Sequence, residues 1–410
     1  MSIQMKRISM ALLLFCLLPA TTGALEASAD DSERFRQIYE KEWTFRMQEF
    51  PMYASYAGVE GHEDRLGQVS EEAQVRRNAF WKGIREELNE VSCARLERED
   101  CINYRIFVKQ IDNFLADYEI HSYLIPFNSD WGFYMEWGRL PQETDFGNLA
   151  DYENYLSRLQ QLPAVMDEYI ALMRRGLAEG ITQPRVILDG RDGPIKAQLV
   201  DSAGQSPFYA PFSDMPESIV GGRKAELAAT AQKTISEGVI PAYQRLYDFF
   251  HEEYVPGARE TLGATRLPGG KRYYQAQIQY YATVDMTPQE IHDIGLQQVS
   301  RIRGEMDAII QELEFKGDFA EFLEFLRTDP QFYARTPKEL LAHASYYAKK
   351  IDGRLPMLFG HMPRQPYGVA PVPDDLAPFY TSGRYVPAPF DSMRGGYYWV
   401  NTHNLESRPL

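Results

Sequence analysis

Near its C-terminus the chain runs Gly395-Gly396-Tyr397-Tyr398-Trp399-Val400 and then Asn401-Thr402-His403-Asn404-Leu405-Glu406-Ser407-Arg408-Pro409-Leu410. The aromatic and β-branched run suits a strand opened by a glycine pair. The polar residues behind it bring amide, hydroxyl, imidazole and guanidinium groups together, a set that can hold a hydrogen-bonding ligand. Their chemistry is that of an active-site wall, able to bind and orient but lacking a nucleophile or a metal-ligand set of its own.

No complete catalytic constellation occurs elsewhere in the chain. Of the seven histidines, His251-Glu252-Glu253-Tyr254-Val255 begins like a zinc-protease helix, but Val255 stands where the second ligand is required. His62-Glu63 and His292-Asp293 fail the same test. There is no Gly-x-Ser-x-Gly elbow and no phosphate-loop or dinucleotide glycine spacing. Adjacent carboxylates among 58 acidic residues carry no information about paired acid-base chemistry.

The elements that position the wall belong to a long globular chain of 410 residues, 44% hydrophobic and 13% aromatic, enough for a large core. A formal charge of -15, with no basic run beyond the N-terminus, excludes a phosphate-backbone partner. Residues 1–24 read as a secretory signal: Lys6 and Arg7 precede the apolar run Ala11–Leu18, and small residues end at Ala24. Its removal takes the charge from -15 to -17 and leaves no apolar stretch long enough to span a bilayer. The expectation is an exported, periplasmic protein, with lipid anchoring through Cys16 as the alternative. Cys93 and Cys101, the pair left after processing, are then expected to form a local disulfide; the other reading is two buried thiols on a helix face.

Periodicity predicts helices over Ser32–Phe50, from Ser70 to about Val91, and over Leu96–Tyr118, followed by an aromatic surface connection through Phe146. Two helices follow, Asp151–Leu162 and Pro163–Gly176, with Pro163 opening the second. Extended pieces are expected at Arg185–Gly190 and Ser206–Pro211. Lys224–His251 is helical with a break at Pro241. Thr287-Pro288-Gln289-Glu290 forms a capping box that opens a helix to about Glu314, with Ile291, Ile294, Leu296, Val299, Ile302, Met306 and Ile309 on its buried side. The signature recurs at Thr336-Pro337-Lys338-Glu339, and Phe319–Leu326 is a short helix between the two. Beyond Leu355, eight prolines mark a stiff connection that delivers the chain to Gly395. A single mostly helical domain over 25–410 is expected, mainly α, with a small β-sheet near the cleft.

Three segments carry a family resemblance: Leu267-Pro268-Gly269-Gly270-Lys271-Arg272-Tyr273-Tyr274 with Thr287–Leu296, then Phe359–Val369, then Tyr397–Pro409. Their order and wording resemble the bacterial family known as domain of unknown function 885 over nearly the whole mature chain. The resemblance implies a zincin-like, often exported metallopeptidase scaffold in which a His-Glu-x-x-Pro-Gly-His-His helix supplies zinc ligands and a general base. That segment follows soon after Asn-Leu-Glu-Ser-Arg-Pro in the family, and this sequence ends first. The expectation is an N-terminal portion of a zinc-dependent peptidase-like hydrolase, its fold incomplete at the C-terminus. No metal ligand is assigned to any residue, and zinc is expected only in a full-length relative.

The chain as given is then expected to bind no stoichiometric zinc, to hydrolyse no peptide and to expose a large apolar patch. The resemblance implies that Tyr397–Thr402 lies beside the catalytic helix and offers its backbone to an extended peptide. Tyr397, Asn401, His403 and Arg408 would line the cleft, with Arg408 or Arg394 meeting a carboxylate. The alternative is that Asn401 and Asn404 close a turn and Arg408 pairs with a surface acid. A non-catalytic periplasmic peptide-binding or scaffold protein is the competing function.

Overall fold

The computed structural model describes residues 20–128, 131–374, 377–388 and 395–410. Most of the expected signal, Cys16 included, and Arg394 lie outside the described residues. The fold is mainly helical with one three-stranded sheet. The described chain divides into two compact units, residues 20–55 with Val59–Met286, and Tyr56–Gly58 with Thr287–Leu410. Among the described residues no helix is long and apolar enough to cross a membrane.

The first unit begins with α1 (Ala20–Glu49), α2 (Pro51–Tyr56), α3 (Glu71–Leu88) and α4 (Arg98–Glu119). Ser70 caps α3 by accepting from the Ala73 N–H. Phe35, Ile38, Trp81, Ile84, Leu88 and Ile111 interlock into one core, while Tyr39 and Trp43 of the same expected stripe lie at the surface. Cys93 and Cys101 are joined by a disulfide that ties the turn after α3 to the first turn of α4, with Cα atoms 4.9 Å apart. The closed loop is short, so replacing both cysteines by serine is expected to lower stability by only about 2–3 kcal/mol. Urea unfolding of the two forms checks this, and the difference should vanish when both are measured under reductant.

The larger core is built around α5 (Leu149–Glu179), α6 (Gly221–Thr234) and α7 (Ile240–Phe249). Two helices were expected where α5 is continuous through Pro163. Proline costs about 3 kcal/mol in a helix interior, but Leu159, Leu162, Val165 and Met166 around it are all buried. The ring is also accommodated by Gly238 opposite, where a Cβ would stand 3.3 Å from the Pro163 ring. Tertiary packing therefore overrides the local stop. The break expected at Pro241 appears as a π-helical turn, Ile235–Val239, and a second, Phe250–Tyr254, precedes Pro256. A wider turn ahead of each proline moves aside the carbonyl its ring would strike, so the helix bends without ending. The extended pieces expected near Arg185 and Ser206 are 3-10 turns, Arg185–Ile187 and Pro207–Phe212. The aromatic connection packs inward through Phe133, Tyr134, Trp137 and Leu140. α8 (Gly270–Ala282) closes the unit.

The second unit contains α9 (Pro288–Glu312), α10 (Phe319–Thr328) and α11 (Pro337–Asp352). The Thr287 capping box is complete: Thr287 Oγ1 accepts from the Glu290 N–H at 3.3 Å, and the Glu290 carboxylate accepts from the Thr287 N–H at 2.8 Å. At α11 only half of it forms, because Glu339 reaches one residue further back, to the Arg335 N–H. α9 departs most from expectation. Ile294, Leu296, Val299, Ile302, Met306 and Ile309 are exposed, and only Ile310 is buried. Amphipathic spacing creates an apolar face, but within this unit only α10 packs closely against the helix.

The proline-rich segment is more than a connection, since it contributes two strands, β1 (Tyr367–Pro371) and β2 (Gly383–Val386), that flank β3 (Gly396–Val400). The order is β1-β3-β2, with β1 parallel and β2 antiparallel to β3. Val400 packs with Ala334 and Leu340 beneath the sheet.

Candidate functional site

Two backbone hydrogen bonds set the phase of this sheet. The Asn401 N–H donates to Ser382 O at 2.9 Å, and the Val372 N–H donates to Val400 O at 3.0 Å. Backbone groups alternate sides along a strand, so Tyr397, Trp399 and Asn401 address β2 while Gly396, Tyr398 and Val400 address β1. Both sides of β3 are thereby used. The expectation that this stretch offers its backbone to a peptide is corrected for Tyr397–Asn401, because among the described residues that strand is paired with β1 on one side and β2 on the other.

The same alternation locates the open edges. Opposite Trp399 and Tyr397, Arg384 and Val386 turn their backbone toward β3; Gly383 and Tyr385 therefore turn theirs outward. Arg384 and Tyr385 are exposed. On β1 the outward positions are Tyr367, Val369 and Pro371, and proline is tolerated there because its missing N–H would have pointed away from the ladder. Among the described residues neither outer edge is paired with another strand. The β1 side is partly occupied, since α11 packs on it and Tyr367 OH donates to Asp352 Oδ1 at 3.0 Å. Burial, followed by this carboxylate, raises the Tyr367 phenol above its ordinary value and keeps it a donor.

Glycines admit the aromatic cover of the sheet. A Cβ on Gly396 would collide with the Tyr385 ring, and one on Gly368 would stand 2.9 Å from the Tyr397 ring. Half-buried Tyr397 thus lies across β1, and Trp399 meets Tyr380 edge to face at 5.8 Å.

The polar residues after β3 are brought together but turn toward one another. Asn401 is fully buried, and its Nδ2 donates to the carbonyls of Ala377, Tyr380 and Thr381 at 2.8, 3.0 and 3.2 Å. Its Oδ1 accepts from the His403 N–H at 2.9 Å, forming an Asx turn. Arg408 donates from Nε to His403 O at 2.6 Å and from Nη1 to Ser382 Oγ at 3.2 Å. In the structure, then, Asn401 closes a turn, as one of the two sequence readings held, whereas Arg408 braces the loop instead of meeting an acid. Asn404 takes the left-handed conformation that the second turn requires. The exposed imidazole of His403 projects from this braced loop.

Sequence reasoning missed both β1 and, most consequentially, β2. Its Gly-Arg-Tyr-Val run carries a weak strand signal, and the flanking prolines concealed it. Among the described residues no three His, Cys, Asp or Glu side chains come together as a metal site. His251 instead meets Asp192 at 3.1 Å on the first unit's surface.

A family model described as a bacterial protein of unknown function (DUF885) matches residues 51–410. The fold is similar to that of a solved candidate lipoprotein from Colwellia psychrerythraea, with a TM-score of 0.78 at 20% identity, over 93% of this chain and 68% of that one. No curated protein matches the chain.

Proposed function

The chain belongs to the bacterial family DUF885, and from that premise we propose that it provides the peptide-docking body of an exported, zinc-metallopeptidase-like hydrolase. An extended peptide adds as a strand along the outer edge of β2. The observation that carries this reading is the open edge itself, where Gly383 and Tyr385 present backbone donors and acceptors beside the exposed Arg384 side chain. Arg384 is placed to meet a peptide carboxylate, the role first considered for Arg394 and Arg408. The described residues do not fit a zinc centre, so no step is routed through a metal and no residue is assigned as its ligand. A second reading, a non-catalytic periplasmic peptide-binding or scaffold protein, is favoured by one observation: Asn401 and Arg408 are spent on bracing the loop.

The docking edge is tested with Tyr385→Pro, which deletes an outward N–H and leaves the β3 ladder intact. Binding of a fluorescein-labelled, end-blocked peptide library, read by anisotropy, is expected to weaken about tenfold, the equivalent of one hydrogen bond. Arg384→Pro, whose N–H faces β3, is expected to disrupt the sheet and serves as the contrast. Unchanged peptide binding by a folded Tyr385→Pro variant overturns the proposal. Zinc content and peptide cleavage by the same preparation separate the hydrolase reading from the binding one.

A further inference from the structure

The first unit contains a cavity of about 540 Å³ that the sheet-edge reading does not use. Its walls come from α1, α2, α3, α4 and the turn after α4. Phe50 and Trp81 stack nearly parallel with centroids 6.4 Å apart, and Trp81 meets Phe114 at 4.4 Å. Tyr118 and Tyr123 stack at 5.7 Å on the neighbouring wall. A half-buried carboxylate, Asp117, stands among these rings. Arg46 also reaches the cavity, but its charge is taken by the buried Glu42, which it grips through both Nε and Nη2 at 3.0 and 2.6 Å. Among the described residues no Arg or Lys pairs with Asp117, so the uncompensated charge facing the cavity is negative.

We propose that this cavity binds a small organic cation, an ammonium carrying methyl or other short alkyl groups, with its charge toward Asp117 and its alkyl groups against the rings of Trp81, Tyr118 and Tyr123 that line it. Aromatic faces attract a cation through the ring quadrupole, most strongly when water is excluded. A poorly hydrated alkylammonium loses little on leaving water and gains both the rings and the carboxylate. The protein uses the same chemistry internally at this place: the guanidinium of Arg77 lies 4.3 Å from the Phe50 ring centre and that of Arg46 lies 5.3 Å from the Phe114 ring centre. Burial holds the Asp117 carboxyl above its ordinary value, against a smaller opposing hydrogen bond from Ser122, and a cation brought to it would favour its charged form. The inference does not rest on the peptide-docking reading and concerns a different part of the chain.

Calorimetric titration of the full chain with choline, and with its neutral isostere 3,3-dimethylbutan-1-ol, tests it directly. Choline is expected to bind about tenfold or more tightly than the isostere, the worth of a desolvated cation–π contact plus a charge pair. Asp117→Asn is expected to weaken choline about tenfold and leave the isostere unchanged, and Tyr118→Leu to weaken choline in a variant that still melts cooperatively. No heat of binding with choline on the folded wild-type chain, equal affinity for the two probes, or choline binding indifferent to both substitutions would each overturn the proposal.

Discussion

Asn401→Ala is expected to lower the stability of the sheet-bearing unit by about 3 kcal/mol, among the largest single-residue effects in this chain. The substitution removes the donor shared by the carbonyls of Ala377, Tyr380 and Thr381 and the acceptor for the His403 N–H, at a position with no exposed surface. With Asn401 buried, those groups lose their partner and bear part of the cost of desolvation. Asn401→Asp is expected to be worse at neutral pH, because a carboxylate would face three carbonyl oxygens with no proton to give. Hydrogen exchange across β3 measures both effects, since protection there reports local opening of this unit. A variant with unchanged β3 protection but altered peptide binding would return Asn401 to a ligand-contacting role.

The second large effect belongs to the first unit. Arg46→Met leaves Glu42, whose side chain is 1% exposed, without its cation. Removing one partner of a buried ion pair costs about 3–5 kcal/mol, because the remaining charge is stranded where water cannot reach it. The Trp81 indole N–H, 3.2 Å from Glu42 Oε1, is too weak a partner to compensate. Changing both residues tells burial from pairing: Glu42→Gln with Arg46→Met keeps an acceptor for Trp81, removes the stranded charge and is expected to recover most of the loss. Urea unfolding followed by tryptophan fluorescence reads this well, because four of the five tryptophans, Trp43, Trp81, Trp131 and Trp137, lie in the first unit. A double variant no more stable than Arg46→Met alone would show that the arginine acts through packing on Phe114, not through its charge.

Local chemistry was legible where it acts over a few residues. The Ser70 cap, the Thr287 capping box and the start of α11 at Pro337 each depend on a side chain reaching a backbone group within one turn. Helical spacing likewise located α3, α4 and α9. The misses involve partners far away in sequence. Pro163 signals a helix start by itself, yet Gly238 and a buried shell let α5 run through it. The stripe on α9 signals burial, yet its own unit leaves most of it exposed. Prolines beyond Leu355 argue against strands, yet Pro371 occupies an edge position where its missing N–H is not required.

The candidate site divides along the same line. By itself the sequence determined that the run after Gly395–Gly396 suits a strand followed by polar residues, because strand preference is a short-range property; it left open whether those residues line a cleft or close a turn. Only the tertiary structure decided that this strand is central, that Asn401 and Arg408 turn inward to brace the loop, and that β2 carries an unpaired backbone edge among the described residues. The physical reason is hydrogen-bond phase: which face of a strand is spent and which is free depends on neighbours 11 to 29 residues away in register, from Val386 and Tyr385 on one side to Tyr367 on the other.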